Sequence, residues 1–360
     1  MNKLRYVRPM HVFFAAAAVL GMVGLVSVWS GADSAIVHRV FFLGLLPACV
    51  YAGFLLTAMP IWTGDERYLG AAMVALATWG MAVLAAAFWP RGASAFMAAF
   101  WLVLLGFCSW LVVRNRKSGH AGILFVLFVL FALQTAYVYS ADTRFLHAQM
   151  HLHAAAACLI AFRVSLVLGG EALKDSHLKD PVFIPNPVYR NLTANCLLLY
   201  AAAELYLPPR TAGFVAMGCG LMLLAKLREL HYVELLRKHY IRIYYIVQLL
   251  GAWAYLWLGM AQLLGRDSHP ALHLLAVGYL TGAAWLIIVT VGLRHNGVVR
   301  MDFPKLTRAA FSCLIVAAVG GSLWSNIVLA PLLLVAGALY LIDFIPIFKA
   351  NWLQKQSTDG

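Results

Sequence analysis

The sequence has very little charge. Of its 360 residues only 11% are Asp, Glu, Lys or Arg, whereas 63% are hydrophobic. An average soluble domain is nearer to half apolar and a quarter charged, so a water-soluble globule of this composition could not cover its surface with polar groups. The same numbers exclude a disordered chain, a disulfide scaffold and a DNA-binding domain. The composition therefore predicts a membrane protein.

Paired cysteines are also lacking. The six cysteines stand singly inside apolar stretches, and neither C-x-x-C nor C-x-x-C-H occurs. The first absence excludes a zinc-knuckle, thioredoxin-like or ferredoxin-like site, and the second excludes a covalently attached c-type haem. The sequence shows no carboxylate pair and no nucleophile arrangement, so we expect no hydrolytic or acid–base enzyme. Redox or nitric oxide chemistry at a cofactor stays open.

Long apolar runs fill most of the chain. A helix needs about 20 largely apolar residues to cross a bilayer, so the sequence predicts an all-α transmembrane bundle with about twelve spans, forming one membrane domain over residues 1–360. The stretch 169–191, rich in Pro, Lys and Asp, is predicted to be a cytoplasmic linker. The predicted spans are 10–30, 37–59, 69–89, 93–113, 120–140, 147–168, 192–207, 211–227, 242–263, 270–293, 308–325 and 327–347.

Lys and Arg are distributed unevenly among the predicted loops. If the N-terminus is cytoplasmic, 21 of the 27 basic residues fall in inner segments, five fall in outer loops, and Arg163 lies within a span. Positive residues favour the cytoplasmic side, which predicts that both termini are cytoplasmic. The net charge of +13 then orients the bundle and favours contacts with anionic lipid head groups rather than with nucleic acid.

Histidines gather at one predicted depth. His38, His147, His151, His269 and His273 all lie near the outer ends of the second, sixth and tenth spans. His147 and His151 are spaced i, i+4, as are His269 and His273, so each pair shares a helix face. Imidazole binds haem iron and copper, and two facing helices can hold a b-type haem between them. Alternatively, the histidines are only hydrogen-bonded at the polar interface.

Arg163 is the basic residue that the predicted spans enclose. A charge at that depth needs a carboxylate, a haem propionate or backbone carbonyl groups as partners, which makes Arg163 a candidate cofactor contact. The alternative is that its long side chain snorkels to the cytoplasmic interface, about one helical turn away.

Four short segments match known patterns in order along the chain. Residues 51–64 read YAGFLLTAMPIWTG and resemble G-F-L-L-T-A-x-P-x-W-T-G, and residues 114–117 resemble an R-N-R-R loop. Residues 271–278 read ALHLLAVG and resemble A-L-H-x-x-x-x-G, and residues 292–297 resemble a later G-H-T-G. Together these segments resemble the NnrS family, a group of bacterial polytopic membrane proteins linked to the response to nitric oxide.

Two further positions relate to the same family. Arg163 falls where the family has G-R-V-I-P, and His38 matches the first histidine of its W-H-x-H-E pattern. Val40 and Phe41 replace the second histidine and the glutamate. The chain is therefore identified as a divergent member of the family.

The resemblance implies cofactors and a place for them. The family is reported to carry haem and copper, which implies a b-type haem in the outer leaflet of the bacterial inner membrane, and copper beside it. By motif position His273 is the expected iron ligand, with His151 as its partner. The resemblance and the histidine pattern together leave His38, His147 and Arg163 as candidate haem contacts, and His38 and His269 as candidate metal ligands.

The expected function is a role in the response to nitric oxide or nitrosative stress. An open axial position would let nitric oxide bind the iron, whereas two firm histidines would favour electron transfer from an electron donor. Two other functions fit the spans. A six-plus-six secondary transporter is one, although the midplane holds few ionisable groups and residues 64–70 lack the repeated basic residues of the major facilitator loop. A non-catalytic assembly subunit is the other.

Overall fold

The computed structural model describes residues 8–30, 38–65, 68–116, 118–174, 182–298, 300–323 and 326–358. These ranges are helical throughout apart from turns and short irregular segments, and they contain no strand, which confirms the all-α prediction. Eleven helices in them are long and apolar enough to cross a membrane. The chain is therefore a multi-pass membrane protein.

The helices follow one another with short connections. Two π-helical segments, His38–Leu45 and Leu274–Thr281, lead into α2 and join α11 to α12. The helices are α1 (Pro9–Trp29), α2 (Leu46–Thr63), α3 (Leu69–Phe88), α4 (Pro90–Arg114), α5 (Ala121–Ser140), α6 (Arg144–Lys174), α7 (Pro187–Tyr206), α8 (Pro209–Leu227), α9 (Val233–Leu236), α10 (His239–Leu264), α11 (His269–His273), α12 (Gly282–His295), α13 (Lys305–Leu323) and α14 (Asn326–Thr358).

The seventh predicted span forms a helix that is not among the candidate membrane spans. Helix α7 occupies its place with 20 residues, but it is absent from the eleven candidate spans. Arg190, Asn191, Asn195 and Glu204 make it more polar than the helices around it, because charged and amide side chains are unfavourable in hydrocarbon. The count therefore falls by one from the twelve that the sequence predicts, although the helix itself is present.

The predicted linker is mostly helical where the structure describes it. Helix α6 continues to Lys174 and α7 begins at Pro187, while residues 175–181 lie outside the described residues. The side chain of Asn186 accepts a hydrogen bond from the Val188 N–H at 2.8 Å, which caps α7. Phe183 packs directly against Gly169, where a Cβ atom would collide with its ring.

The helices group into two compact units. Unit 1 comprises Met1–Gln149 and Phe344–Gly360, and unit 2 comprises Met150–Asp343. In unit 1, segment 51–64 packs tightly: a Cβ on Gly53 would lie 2.5 Å from the ring of Phe14. The hydroxyl of Thr57 accepts a hydrogen bond from the Met10 N–H at 3.3 Å. Gly64 ends α2 in the left-handed region, with φ of 76°, which favours glycine.

The end of segment 51–64 also meets the loop after α4. Asp65 is buried and lies 3.6 Å from the guanidinium of Arg114. The ring of Trp62 stacks on His120, with 5.4 Å between the ring centroids. Two of the motifs that carry the family resemblance, residues 51–64 and 114–117, are thus joined in one structural corner of unit 1.

In unit 2, helices α8 and α10 approach closely along a line of glycines. A Cβ on Gly259 would lie 2.6 Å from the carbonyl oxygen of Gly213, and a Cβ on Gly220 would lie 2.9 Å from that of Ala252. Small residues let helix backbones come together in membranes, where dispersion contacts rather than the hydrophobic effect hold helices in place. This close pair positions α10, which carries Tyr255 and Gln262.

The π-helical segment Leu274–Thr281 packs on the middle of α10. The hydroxyl of Thr281 donates to the carbonyl of Ala276, five residues earlier, at 2.9 Å. The ring of Tyr279 covers Gly251, where a Cβ would lie 2.5 Å from its Cδ2. Such wide turns are rare and occur often at functional sites, and this one begins directly after His273.

Candidate histidine site

His151 is the centre of a buried polar cluster in unit 2. Its side chain has no exposed surface, and its Nδ1 lies 2.9 Å from the hydroxyl oxygen of Tyr255. Its Nε2 lies 2.9 Å from a carboxylate oxygen of Glu204, which is 16% exposed. The two atoms are close enough for an ion pair, but an N–H on Nε2 is not aligned well enough with the Glu204 oxygen to form a good hydrogen bond.

Aromatic rings enclose the imidazole. Tyr200 meets His151 edge to face at 4.6 Å between centroids, and Tyr255 lies at 5.7 Å. Both tyrosines are fully buried. The hydroxyl of Tyr200 accepts a hydrogen bond from the amide of Gln262 at 2.8 Å. The imidazole is therefore held by side chains of α7 and α10, and it is shielded from lipid and water.

The contacts of His151 suit a proton better than an iron atom. If Glu204 is ionised, the imidazole carries its proton on Nε2 toward the carboxylate and accepts the Tyr255 hydroxyl proton at Nδ1. An iron ligand needs one ring nitrogen with an available lone pair. Both nitrogens of His151 already face polar atoms at 2.9 Å, so this geometry does not fit an axial haem ligand.

His273 has the contacts that a metal ligand requires. Its Nδ1 lies 3.4 Å from the hydroxyl of Ser322, a long hydrogen bond, and that hydroxyl donates to the carbonyl of Ala318 at 2.7 Å. Because the hydroxyl proton is directed to Ala318, the hydroxyl acts as acceptor toward His273. With the ring proton on Nδ1, the lone pair lies on Nε2, which is the arrangement found in metal-bound histidines. The half-buried imidazole therefore fits an iron ligand.

The other predicted histidines are not part of the buried cluster. His147 is exposed in the first turn of α6, and His269 is exposed at the start of α11. The backbone N–H of His269 donates to Asp267 at 3.0 Å. His38 begins a π-helical segment, but its side chain lies outside the described residues. A role for these three in binding haem or metal stays a prediction.

Arg163 lies on the exposed side of α6. It is near enough to Arg190 for their like charges to repel. Arg190 itself stacks over the ring of Phe162 at 4.5 Å. Exposure and a neighbouring cation favour the snorkelling interpretation over a buried contact with a haem propionate.

A copper ion would need several metal-ligating side chains close together. Within the described ranges no group of three or more His, Cys, Asp or Glu side chains lies close enough together to hold a metal ion. Copper sites in proteins draw on such imidazole and thiolate groups. Copper binding by this chain stays a prediction.

The sequence analysis did not select Tyr200, Tyr255 or Gln262. Tyr255 and Gln262 are spaced i, i+7 on α10, so they lie on one helix face. A tyrosine and a glutamine on one face of a membrane span is the signal that could have identified them. Glu204 is an acid in an apolar stretch, but no sequence spacing connects it with His151.

The fold and this site define a polytopic helical membrane protein with a buried polar cluster around His151. The sequence model of a family described as NnrS protein matches residues 7–352. This match covers nearly the whole chain, so the protein belongs to the NnrS family and the resemblance of its motifs is confirmed. No curated protein and no solved structure matches the chain.

Proposed function

We propose that this protein is a haem-binding protein of the bacterial inner membrane that acts in the response to nitric oxide. His273 is the iron ligand in this proposal. Membership of the NnrS family and the eleven membrane-spanning helices support the proposal. The observation that carries it is the contact between Nδ1 of His273 and the hydroxyl of Ser322, a contact that can fix the orientation of the imidazole as a metal ligand requires.

Bound haem would supply an iron atom at which nitric oxide can coordinate. The task of the chain is to hold that iron through Nε2 of His273, while Ser322 fixes the ring and its tautomer. His151 does not act as the second ligand, because its nitrogens face Tyr255 and Glu204. His273 would hold the haem, and the haem iron would supply the chemistry that binds nitric oxide.

The first test is the absorption spectrum of the protein purified in detergent after expression with ample haem. We expect a Soret band, and b-type bands after reduction with dithionite, which replaces the natural electron donor. Nitric oxide added to the reduced protein should shift the Soret band. A colourless protein that elutes as a single folded species would overturn the proposal.

Ser322 is expected to act as a positioning residue for His273. Ser322→Ala removes the acceptor for Nδ1, and loss of such a partner typically lowers metal affinity by about 10–100-fold. Ser322→Thr keeps the hydroxyl and should restore haem binding. Haem titration of the apoprotein measures both variants. Equal haem affinity for Ser322→Ala and the wild type would show that this contact does not orient the ligand.

A further inference from the structure

Tyr255 of α10 is a phenol held against a base in the interior of unit 2. Its side chain has no exposed surface, and its hydroxyl oxygen lies 2.9 Å from Nδ1 of His151. The imidazole is itself fully buried. No substrate molecule can touch either ring while the helices around them stay packed. The chemistry open to this pair is therefore the transfer of electrons through the protein and of protons along the hydrogen bond.

The hydrogen bond between Tyr255 and His151 has a favoured direction. Nε2 of His151 lies 2.9 Å from a carboxylate oxygen of Glu204, and an ionised carboxylate accepts protons but has none to donate. This favours the tautomer whose proton lies on Nε2, as in a catalytic triad, where an acid orients the imidazole. Nδ1 then presents its lone pair to Tyr255, and the phenol donates.

The carboxylate of Glu204 also stabilises His151 once the ring gains a second proton. That proton arrives at Nδ1 and makes the ring an imidazolium, whose positive charge faces the carboxylate. Because His151 is buried, water screens the attraction between the two charges less than it does at a surface. Glu204 and His151 together thus form an acceptor for one proton from Tyr255.

The neighbouring buried tyrosines lack such an acceptor. The hydroxyl of Tyr200 accepts a hydrogen bond from a side-chain amide at 2.8 Å, and that of Tyr244 donates to a backbone carbonyl at 3.2 Å. Neither an amide nor a carbonyl takes up a proton under ordinary conditions. The hydroxyl of Tyr279 has no hydrogen-bond partner in the described part of the chain. The imidazole therefore sets Tyr255 apart from these three.

A second tyrosine–histidine pair lies at the surface. Nε2 of His231 is 3.0 Å from the hydroxyl of Tyr245, and His231 is exposed. Water can take up or return a proton there, and dissolved reductants can reach the histidine end of the pair. The interior pair keeps its proton on His151 and shields the phenol ring, so a reactive state of Tyr255 is protected from side reactions.

A buried phenol can be oxidised only if its proton leaves with the electron. Loss of the electron alone would create a positive charge in an apolar interior, which is very unfavourable. A phenol that is already hydrogen-bonded to a base can pass the proton over in the same step. The electron can tunnel between aromatic rings, and the ring of Tyr200 lies 5.8 Å from that of Tyr255 between centroids.

We propose that Tyr255 is a redox-active tyrosine that gives one electron to nitrogen dioxide. The electron reduces nitrogen dioxide to nitrite, the O–H bond of Tyr255 breaks, and its proton forms an N–H bond at Nδ1 of His151. Tyr255 becomes a neutral tyrosyl radical, so one electron and one proton are both accounted for.

Nitrogen dioxide suits this place in the molecule because it is a small uncharged radical that dissolves in a bilayer, and it forms from nitric oxide and dioxygen. The choice of this oxidant rests on the proposed function. The proton transfer rests on the contacts of Tyr255 and His151 and needs no haem.

The test is electron paramagnetic resonance of the purified protein, mixed with nitrogen dioxide and frozen rapidly. The wild type should show the spectrum of a neutral tyrosyl radical. Tyr255→Phe keeps the ring but lacks the hydroxyl, and it should lose most of that signal. A wild type without a tyrosyl radical would overturn the proposal, and so would a Tyr255→Phe protein that forms as much radical as the wild type.

His151→Gln separates the base from the hydrogen bond. The amide oxygen of glutamine can accept the Tyr255 hydroxyl, but it does not take up the proton. The signal that depends on Tyr255 should form about 100-fold more slowly, the lower end of what a positioned proton acceptor contributes. Glu204→Gln removes the charge that faces the imidazolium and should slow the signal about tenfold. Equal rates in His151→Gln and the wild type would refute the role of His151.

Tyr245→Phe is the matched control, because it removes the phenol of the surface pair. Its radical yield should equal that of the wild type, and a loss as large as in Tyr255→Phe would contradict the assignment to the buried pair. Circular dichroism and size-exclusion profiles select the variants that fold. Tyr255→Phe should keep the Soret band, since His273 holds the haem in the proposed function. Failure of the radical test and failure of the haem test are thus told apart.

Discussion

His273→Ala is expected to remove most of the haem from the protein. The substitution deletes the imidazole whose Nδ1 faces Ser322. The protein then lacks the nitrogen, Nε2 of His273, that is proposed to bind the iron. Loss of the protein ligand should lower the Soret absorbance per protein about tenfold, which corresponds to about 1.4 kcal/mol of binding free energy. The ratio of Soret to protein absorbance after purification measures the effect.

Free imidazole provides a sharper version of the same experiment. It should enter the space left by the side chain and restore part of the Soret band, since the lesion is a missing ligand rather than a damaged fold. His231→Ala is the matched control, because His231 is exposed and its Nε2 lies 3.0 Å from the hydroxyl of Tyr245. Full haem content in His273→Ala would show that another residue holds the iron.

Gly259→Leu is expected to prevent α8 and α10 from packing. Even the first atom of the new side chain would lie 2.6 Å from the carbonyl oxygen of Gly213 and 2.9 Å from the backbone nitrogen of Met217. A backbone cannot move aside as a flexible side chain does. Overpacking of this kind costs about 1–3 kcal/mol for small additions, and more for large ones. Gly259→Ala should lower the midpoint of thermal unfolding in detergent, and Gly259→Leu should abolish the folded species.

Gly218→Ala is the control on the neighbouring helix. A Cβ at Gly218 would meet no atom within 4 Å, and alanine favours a helix over glycine by about 1 kcal/mol. Its unfolding midpoint should equal or exceed that of the wild type. If Gly218→Ala and Gly259→Ala shift the midpoint equally, the close approach of α8 and α10 is not what stabilises unit 2.

The family motifs have different roles in the structure. Segment 51–64 supplies Gly53 for close packing on Phe14, Thr57 as acceptor for Met10, and Gly64 to end α2. These are structural tasks, which explains why its pattern is so specific without containing a histidine or a carboxylate. The segment around His273, by contrast, places an imidazole at the start of a π-helical stretch.

The positions of the helices could be predicted from the sequence because bilayer thickness sets their length. Runs of apolar residues and the Pro208-Pro209 break placed α7 and α8 correctly, since proline is accommodated at the first helical position. The first residues of the predicted linker continue α6 to Lys174. A helix that ends beyond the hydrocarbon does not need an apolar sequence, so composition could not show where it stops.

The candidate site was predictable only in part. The pattern selected His151 and His273 together because both lie at the same predicted depth. The depth of a residue in the membrane can be read from its position along one helix. Whether a histidine can bind a metal depends instead on the side chains that neighbouring helices place around it. Tyr255, Glu204 and Ser322 are 104, 53 and 49 residues from the histidines they contact, and no spacing rule connects residues so far apart.

By itself the sequence determined that this protein is a multi-pass helical membrane protein of the NnrS family, because hydropathy and short motifs are local properties of a chain. The tertiary structure decided which polar side chains meet. It directed both nitrogens of His151 to Tyr255 and Glu204, and it placed the hydroxyl of Ser322 beside Nδ1 of His273. These outcomes depend on how α6, α7 and α10 pack together and on how α11 packs on α13, and packing depends on the shapes of side chains far apart in the sequence.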